Sequence, residues 1–223
     1  MSTDKNQQAV NQMKEGNTEE AARLLNEAIE ENPQDAVAYT NFGNLLTAVN
    51  DFDRALIFYN KAIEIDEKIA TAYYGRGNLL YNTDKFLEAI DAYQEALDKG
   101  LKEGDVYYML GMSFYQHGDL TRALPSLQTA AELNPTDAEA KFQYALTMAQ
   151  LEQVDEAIKV FEEVIKLDEN HADAFFNLGV AYTYKENLGN ALEMFNKALD
   201  IQPDHALSAN GKKQIEKLLK EGE

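Results

Sequence analysis

Three acid–aromatic pairs mark where this chain could do chemistry. Asp105 precedes Tyr108 by three residues, Glu139 precedes Phe142 by three, and Asp173 precedes Phe176 by three, and the pairs are evenly spaced along the chain. On a helix, residues i and i+3 share a face, so each pair would set a carboxylate beside a ring. That combination attracts Lys or Arg through ion pairing and cation–π attraction, alongside apolar anchors. Catalytic and metal chemistry find less to stand on. His117, His171 and His205 fall in predicted turns, the last two separated by the same interval as the acids, and read as polar turn residues. A zinc site would want ligands converging at fixed spacing with supporting partners. Glu19-Glu20 and Glu162-Glu163 are acids of the kind expected on solvated helices. Gly75-Arg76-Gly77 lacks the third glycine and the preceding strand of a dinucleotide site. The absence of cysteine excludes disulfides, thiolate metal sites and cysteine nucleophiles. No enzymatic activity, no cofactor and no metal are therefore expected.

Composition narrows the partners. The 223 residues carry 39 acids against 20 bases, a formal net charge of −19. With 45% hydrophobic residues the chain can build a sizeable core, so its acidity does not indicate disorder. Such a chain repels phosphate backbones and anionic membrane surfaces, so neither nucleic acid nor membrane is an expected partner. No apolar run approaches the roughly 18 residues needed to cross a bilayer. The amino terminus MSTDKNQQAV has no signal-peptide pattern, and a cytoplasmic location is expected.

The elements that must position these residues are written in a repeat. Alanine occurs at 21, 55, 89, 123, 157 and 191, at one constant interval. Seven residues on stand Ala28, Ala62, Ala96, Ala130, Val164 and Ala198; twelve residues before stand Ala9, Gly43, Gly77, Gly111, Ala145 and Gly179. Each unit reads as two amphipathic helices. Tyr39, Phe42, Gly43 and Leu46 fall at i, i+3, i+4 and i+7, and Ala55, Tyr59 and Ala62 mark the second helix. Asn50-Asp51, Gly16-Asn17 and Gly118-Asp119 share the break between them, where glycine can take the left-handed conformation that ends a helix. Pro33, Pro135 and Pro203 share one position after the second helix. The small residues let helices approach to about 8–10 Å.

These residues resemble the tetratricopeptide repeat family, whose period the alanines keep without insertion. Tyr107-Leu110-Gly111-Phe114, Ala123-Leu127-Ala130 and Pro135 follow its motif, as do Phe175-Leu178-Gly179-Tyr182, Ala191-Phe195-Ala198 and Pro203. The resemblance implies an all-α, right-handed superhelical solenoid of six helix–turn–helix repeats, at 2–35, 36–69, 70–103, 104–137, 138–171 and 172–205. They are expected to form one domain, capped by a C-terminal helix and tail at 206–223. Departures carry further expectations. Lys5, Gln8 and Gln12 replace large apolar residues, so the first helix should be poorly buried. Lys141 and Arg76 should cover apolar surface with their stems and reach solvent with their heads. Pro125 should bend the second helix that contains it, and Gly211 should split the tail helix from its start at Ala206.

In this family the first helices line a concave wall where peptides bind, which implies that positions 2, 5, 6, 9, 12 and 13 of each unit face a groove. Position 5 supplies Tyr74, Tyr108, Phe142 and Phe176; position 9 supplies Asn44 and Asn78, then Met112, Leu146 and Val180. Tyr81 and Tyr115 add rings, Asn41 and Asn177 add amides, and Asp105, Glu139 and Asp173 form the acid ladder. Alternatives stand beside each reading. The rings could pack between neighbouring first helices, and the acids could serve the helix macrodipole. The asparagines suit bonding to the backbone of an extended peptide. The Lys/Asn/Arg clamp with which related repeats hold the acidic carboxy terminus of heat-shock chaperones finds no match, and that partner is not expected. The expected function is a non-catalytic scaffold or adaptor for a protein or peptide segment, apolar with basic flanks. The alternatives are a holding, assembly or secretion chaperone and, less favoured, a hydrolase or transferase. Self-association through the terminal repeats is also open.

Overall fold

The period of the alanines becomes a period of helix starts. A computed structural model describes residues 4–221. It contains thirteen α-helices and no strand among the described residues. The first helices are α1 (Lys5–Lys14), α3 (Ala36–Ala48), α5 (Ala70–Asn82), α7 (Gly104–Gln116), α9 (Ala138–Gln150) and α11 (Ala172–Tyr184). The second helices are α2 (Thr18–Glu31), α4 (Phe52–Ile65), α6 (Phe86–Asp98), α8 (Leu120–Leu133), α10 (Val154–Leu167) and α12 (Leu188–Ile201). The last helix, α13 (Ala206–Glu221), starts one full period after α11 and so takes the register of a seventh first helix. Two compact units result: unit 1 reaches to His117 and holds α1–α7, and unit 2 starts at Gly118 and holds α8–α13.

Within each unit a first helix packs on the next first helix, and a second helix packs on the first helix that follows it. In unit 1, α3 touches α1 and α5, and α5 touches α7; in unit 2, α11 touches α9 and α13. The alanines explain how. Ala21, Ala55, Ala89, Ala123, Ala157 and Ala191 are all fully buried, each where a larger side chain would hold the helices apart. The glycines meet rings. A Cβ on Gly43 would come 2.7 Å from the Tyr59 ring, one on Gly77 2.6 Å from Tyr93, and one on Gly179 2.6 Å from Phe195.

The turn inside each repeat uses a left-handed residue at one fixed position. Gly16 and Gly118 take it as expected, but so do Asn50, Asp84, Glu152 and Glu186, with φ between 57° and 61°. The following amide donates back to the helix, as in Asp51 N–H to the Leu46 carbonyl at 2.8 Å and Asn187 N–H to Tyr182 at 2.9 Å. Those closing bonds hold the left-handed conformation even where the side chain disfavours it.

The first helix is as thinly buried as its polar sequence implies, with Ala9 its single buried residue. Lys5 leaves the apolar role altogether and bonds Glu27 at 2.8 Å and Glu31 at 2.7 Å. Lys141 reaches Glu163, and Arg76 lies over the Tyr73 ring at 5.2 Å with a guanidinium N–H toward Asn60. Helix α8 continues through Pro125, which lies on its exposed face. One expectation is corrected. Helix α13 runs unbroken through Gly211, whose small size serves packing instead: a Cβ there would stand 2.7 Å from the Phe195 ring. Ile215 and Ser208 are buried, whereas Lys213, Lys217 and Lys220 are exposed, so α13 covers the end of unit 2 with a polar outer face.

Candidate functional site

In unit 1 the site residues line up on α3, α5 and α7. Asn44 and Asn78 occupy the same position of consecutive first helices, and each is paired to a ring from its own second helix. The buried Tyr59 hydroxyl donates to Asn44 Oδ1 at 2.8 Å, and Tyr93 donates to Asn78 Oδ1 at 2.7 Å. Thr47 adds a second partner for Tyr59 at 3.1 Å. A buried phenol needs such a partner, since leaving its hydroxyl unpaired costs about 1–3 kcal/mol. Burial disfavours the charged phenolate, which pushes the Tyr59 hydroxyl up to about 12 and raises Tyr93 as well. The asparagine carbonyls therefore have an internal role that the sequence did not suggest.

Around this amide row stand half-buried rings. Tyr74 lies 5.9 Å from Tyr93, and burial raises its hydroxyl while the Asn78 amide partly offsets that. Tyr81 meets Phe86 edge-on at 5.5 Å. Tyr108 and Tyr115 are half-buried on α7, and Asp105 is exposed at the start of that helix, close enough to raise Tyr74. Asn41 is half-buried on α3. Met112 is buried and belongs to packing. Thr40, at the polar end of the face, is also buried, with its hydroxyl bonded to the Ala36 carbonyl of its own helix at 2.8 Å.

Unit 2 carries the apolar version. Phe142 is 8% exposed and packs against Phe161 and His171, so at this position the packed arrangement holds and an open ring does not. Leu146 is partly buried against the same cluster. Phe176 instead remains half open. With Val180, Tyr184, Leu207, Gln214 and Ile215 it lines a groove of about 560 Å³ between α11 and α13. Val180 is 45% exposed and Tyr184 66%, large apolar surface on one helix face.

The acids of unit 2 are exposed but engaged. Glu139 accepts from Gln143 at 2.8 Å, and Asp173 Oδ1 faces His205 Nε2 at 3.1 Å. Asn177 donates to the Asp173 backbone carbonyl at 2.8 Å, which ties that amide to its own helix. The histidines are more than polar turn residues. His171 Nδ1 accepts the Ala174 N–H and His205 Nδ1 accepts the Ser208 N–H, so both cap helix starts. Their rings lie on Phe142 and Phe176, at 4.5 and 5.3 Å. His117 is an exposed helix end. The neighbouring acids Glu162 and Glu163 part ways, toward Tyr182 and Lys141. Among the described residues no three His, Cys, Asp or Glu side chains converge as a metal site would require, and no helix is long and apolar enough to cross a membrane.

Paired helices in strict register, with buried alanines and ring-facing glycines, match one family by its models. Tetratricopeptide repeat models match residues 12–75 and 114–178, 70–99, and 172–205. The chain belongs to the tetratricopeptide repeat family. Its similarity to a crystal structure of YrrB, described as a TPR protein with an unusual peptide-binding site, reaches 49% identity and a TM-score of 0.81. That match covers 85% of this chain and 97% of the other. The TPR repeat-containing protein YrrB of Bacillus subtilis (strain 168) is 51% identical over 41 residues, 18% of this chain and 20% of that protein's length. PilF of Pseudomonas aeruginosa is 18% identical at a TM-score of 0.81, covering 94% and 96% of the two chains, and shares the fold. In general, tetratricopeptide repeat proteins are non-catalytic interaction modules.

Proposed function

We propose that this tetratricopeptide repeat chain is a non-catalytic scaffold or adaptor that binds a partner segment on the exposed faces of its first helices. The segment is apolar with basic flanks. The observation that carries this reading is the groove between α11 and α13, where Phe176, Val180, Tyr184 and Leu207 leave apolar surface open, with the exposed Asp173 three residues before Phe176 on α11. Open apolar surface of this kind on a folded chain marks interaction sites. The likeness to YrrB supports a peptide ligand. A second reading, a holding chaperone, draws on the same surface, which could also take up varied unfolded clients.

The test is an array of twelve-residue peptides with apolar centres and Lys or Arg flanks, probed with the intact chain and then with Tyr184→Ser and Glu139→Lys. The expected result is a narrow set of binders whose affinity falls at least tenfold in the variants while helical circular dichroism persists. Binding that ignores both substitutions sinks the groove reading. Indiscriminate binding combined with suppressed client aggregation favours the chaperone.

A further inference from the structure

The last helix displays the kind of surface that the groove beside it would bind. Leu207 is 60% exposed and Leu218 49%, although a helix that only caps a core has no use for open leucines. Leu207, Gly211, Gln214 and Leu218 fall at i, i+4, i+7 and i+11, so they share one face of α13. The first three line the groove between α11 and α13, which makes this the groove face of the helix. Beside it stand Lys213, Lys217 and Lys220, all exposed. Lys217 reaches Glu221 at 3.6 Å, whereas among the described residues Lys213 and Lys220 meet no carboxylate. Apolar surface flanked by lysine is thus a property of the chain's own tail.

The same stripe can supply both halves of a contact. When two copies of α13 lie antiparallel about a two-fold axis midway between Leu207 and Leu218, Leu207 of each copy meets Leu218 of the other. In that register Gly211 meets Gln214, and the small residue gives the longer one room. The leucines stand about 16 Å apart along the helix. The same number of residues separates Asp173 from Tyr184 on α11, so both walls of the groove offer surface of equal length. Charge favours the antiparallel direction. Lys217 and Lys220 lie toward the end of α13, while the exposed Asp173 and Asp204 stand at the starts of α11 and α13. Parallel pairing sets lysine beside lysine. Antiparallel pairing brings the basic end of each copy to the acidic starts of the other and opposes the two helix macrodipoles. Two chains of net charge −19 repel one another, and α13, with four lysines against two glutamates, is a place where they can meet.

We infer that the groove between α11 and α13 is the interface of a symmetric dimer, occupied by α13 of a second copy lying antiparallel. Leu218 of each copy sits beside Leu207 of the other, and Lys217 and Lys220 face Asp173 and Asp204 across the two-fold axis. The inference rests on the reading of this groove as a docking surface and names its occupant. A peptide partner has to compete with the second copy for the same apolar side chains.

Because the chain has no cysteine, engineered thiols report the pairing directly. Under mild oxidation the double variant Leu207→Cys, Leu218→Cys is expected to form a covalent dimer, and neither single variant is. Within one helix the two thiols cannot join, since a disulfide needs Cα atoms within about 7 Å. Sedimentation equilibrium of the unaltered chain should give twice the 25.1 kDa monomer mass at about 100 µM, where a contact of micromolar affinity is filled. Leu218→Glu and Lys220→Glu change exposed residues, so helicity should persist while each weakens the dimer about tenfold or more. Adding Asp204→Lys should restore the Lys220→Glu variant. A chain that stays monomeric overturns the inference, as does cross-linking of either single variant or a dimer indifferent to these substitutions. Array peptides that bind a monomeric chain, and are lost in Tyr184→Ser, would remove the dimer and leave the peptide reading standing. A dimer with the expected cross-link that binds no array peptide would uphold the inference and remove the peptide reading. A monomer that binds no peptide removes both.

Discussion

Units 1 and 2 solve one packing problem with two chemistries. In each, a ring from a second helix presses on a glycine or alanine of the first helix and on a side chain fifteen residues upstream. In unit 1 those rings are Tyr59 and Tyr93, and the upstream residues are Asn44 and Asn78. In unit 2 the rings are Phe161 and Phe195; fifteen residues upstream, Leu146 packs on the cluster that holds Phe161, and Val180 lines the same groove as Phe195. A hydroxyl is always met by an amide, and a plain ring by an apolar side chain. The ring type in the core thus goes with the side chain beside it on the first helix: amides among tyrosines on unit 1, apolar residues on unit 2.

Raising the pH should separate the units most. The Tyr59 and Tyr93 hydroxyls ionise above their unfolded value near 10, so their contribution is whole below pH 10 and is lost as pH climbs toward 12. For Tyr59 alone this amounts to about 2–3 kcal/mol. The second helices of unit 2 contain no tyrosine. Amide exchange in α4 and α6 should accelerate between pH 10 and 12 ahead of that in α10 and α12; simultaneous loss would contradict the comparison. Next comes a transplant. Phe161→Tyr places a hydroxyl against Leu146 and should cost about 2 kcal/mol in a urea melt, and adding Leu146→Asn should recover most of it. If the single substitution is harmless, the pairing rule fails. In the opposite direction, Tyr93→Phe should cost about 1 kcal/mol, since Asn78 can turn its freed oxygen to water. The smallest effect concerns the turns. Unit 2 places Glu152 and Glu186 in the left-handed position where unit 1 has Asn50 and Asp84, residues that tolerate it better. Glu152→Gly should stabilise by about 0.5–1 kcal/mol and Asn50→Gly by less, measured as midpoint shifts.

The helical register was legible in the sequence because small residues at helix crossings are obligatory and recur at constant spacing. Ala55 and Gly43 betray their neighbours by being small. The tyrosine–asparagine pairs were hidden because fifteen residues and a turn separate the partners, and Asn44 alone looks like a residue waiting for a ligand. Gly211 was misread for a related reason: a glycine within a helical pattern signals a break or a close neighbour, and only the position of Phe195 decides. Phe142 and Phe176 occupy the same repeat position, yet one is buried and the other partly open. Position within a repeat specifies direction, whereas exposure depends on which neighbour follows. The capping histidines were legible as turn residues, but the rings beneath them were not.

Tandem repeats invite treatment as interchangeable parts, and the glycines around Tyr59 set a limit on that. Gly43 shares a repeat with the ring, but Gly75 belongs to the next one, where an added Cβ would stand 2.5 Å from it. Phe195 has the same arrangement with Gly179 and Gly211. Cutting the array at such a junction and splicing in a foreign repeat would set whatever side chain arrives at that position against the ring. The order of modules is thus partly written into their seams: a donor repeat can replace the one containing Tyr59 only if the cut travels with Gly75 of the repeat that follows.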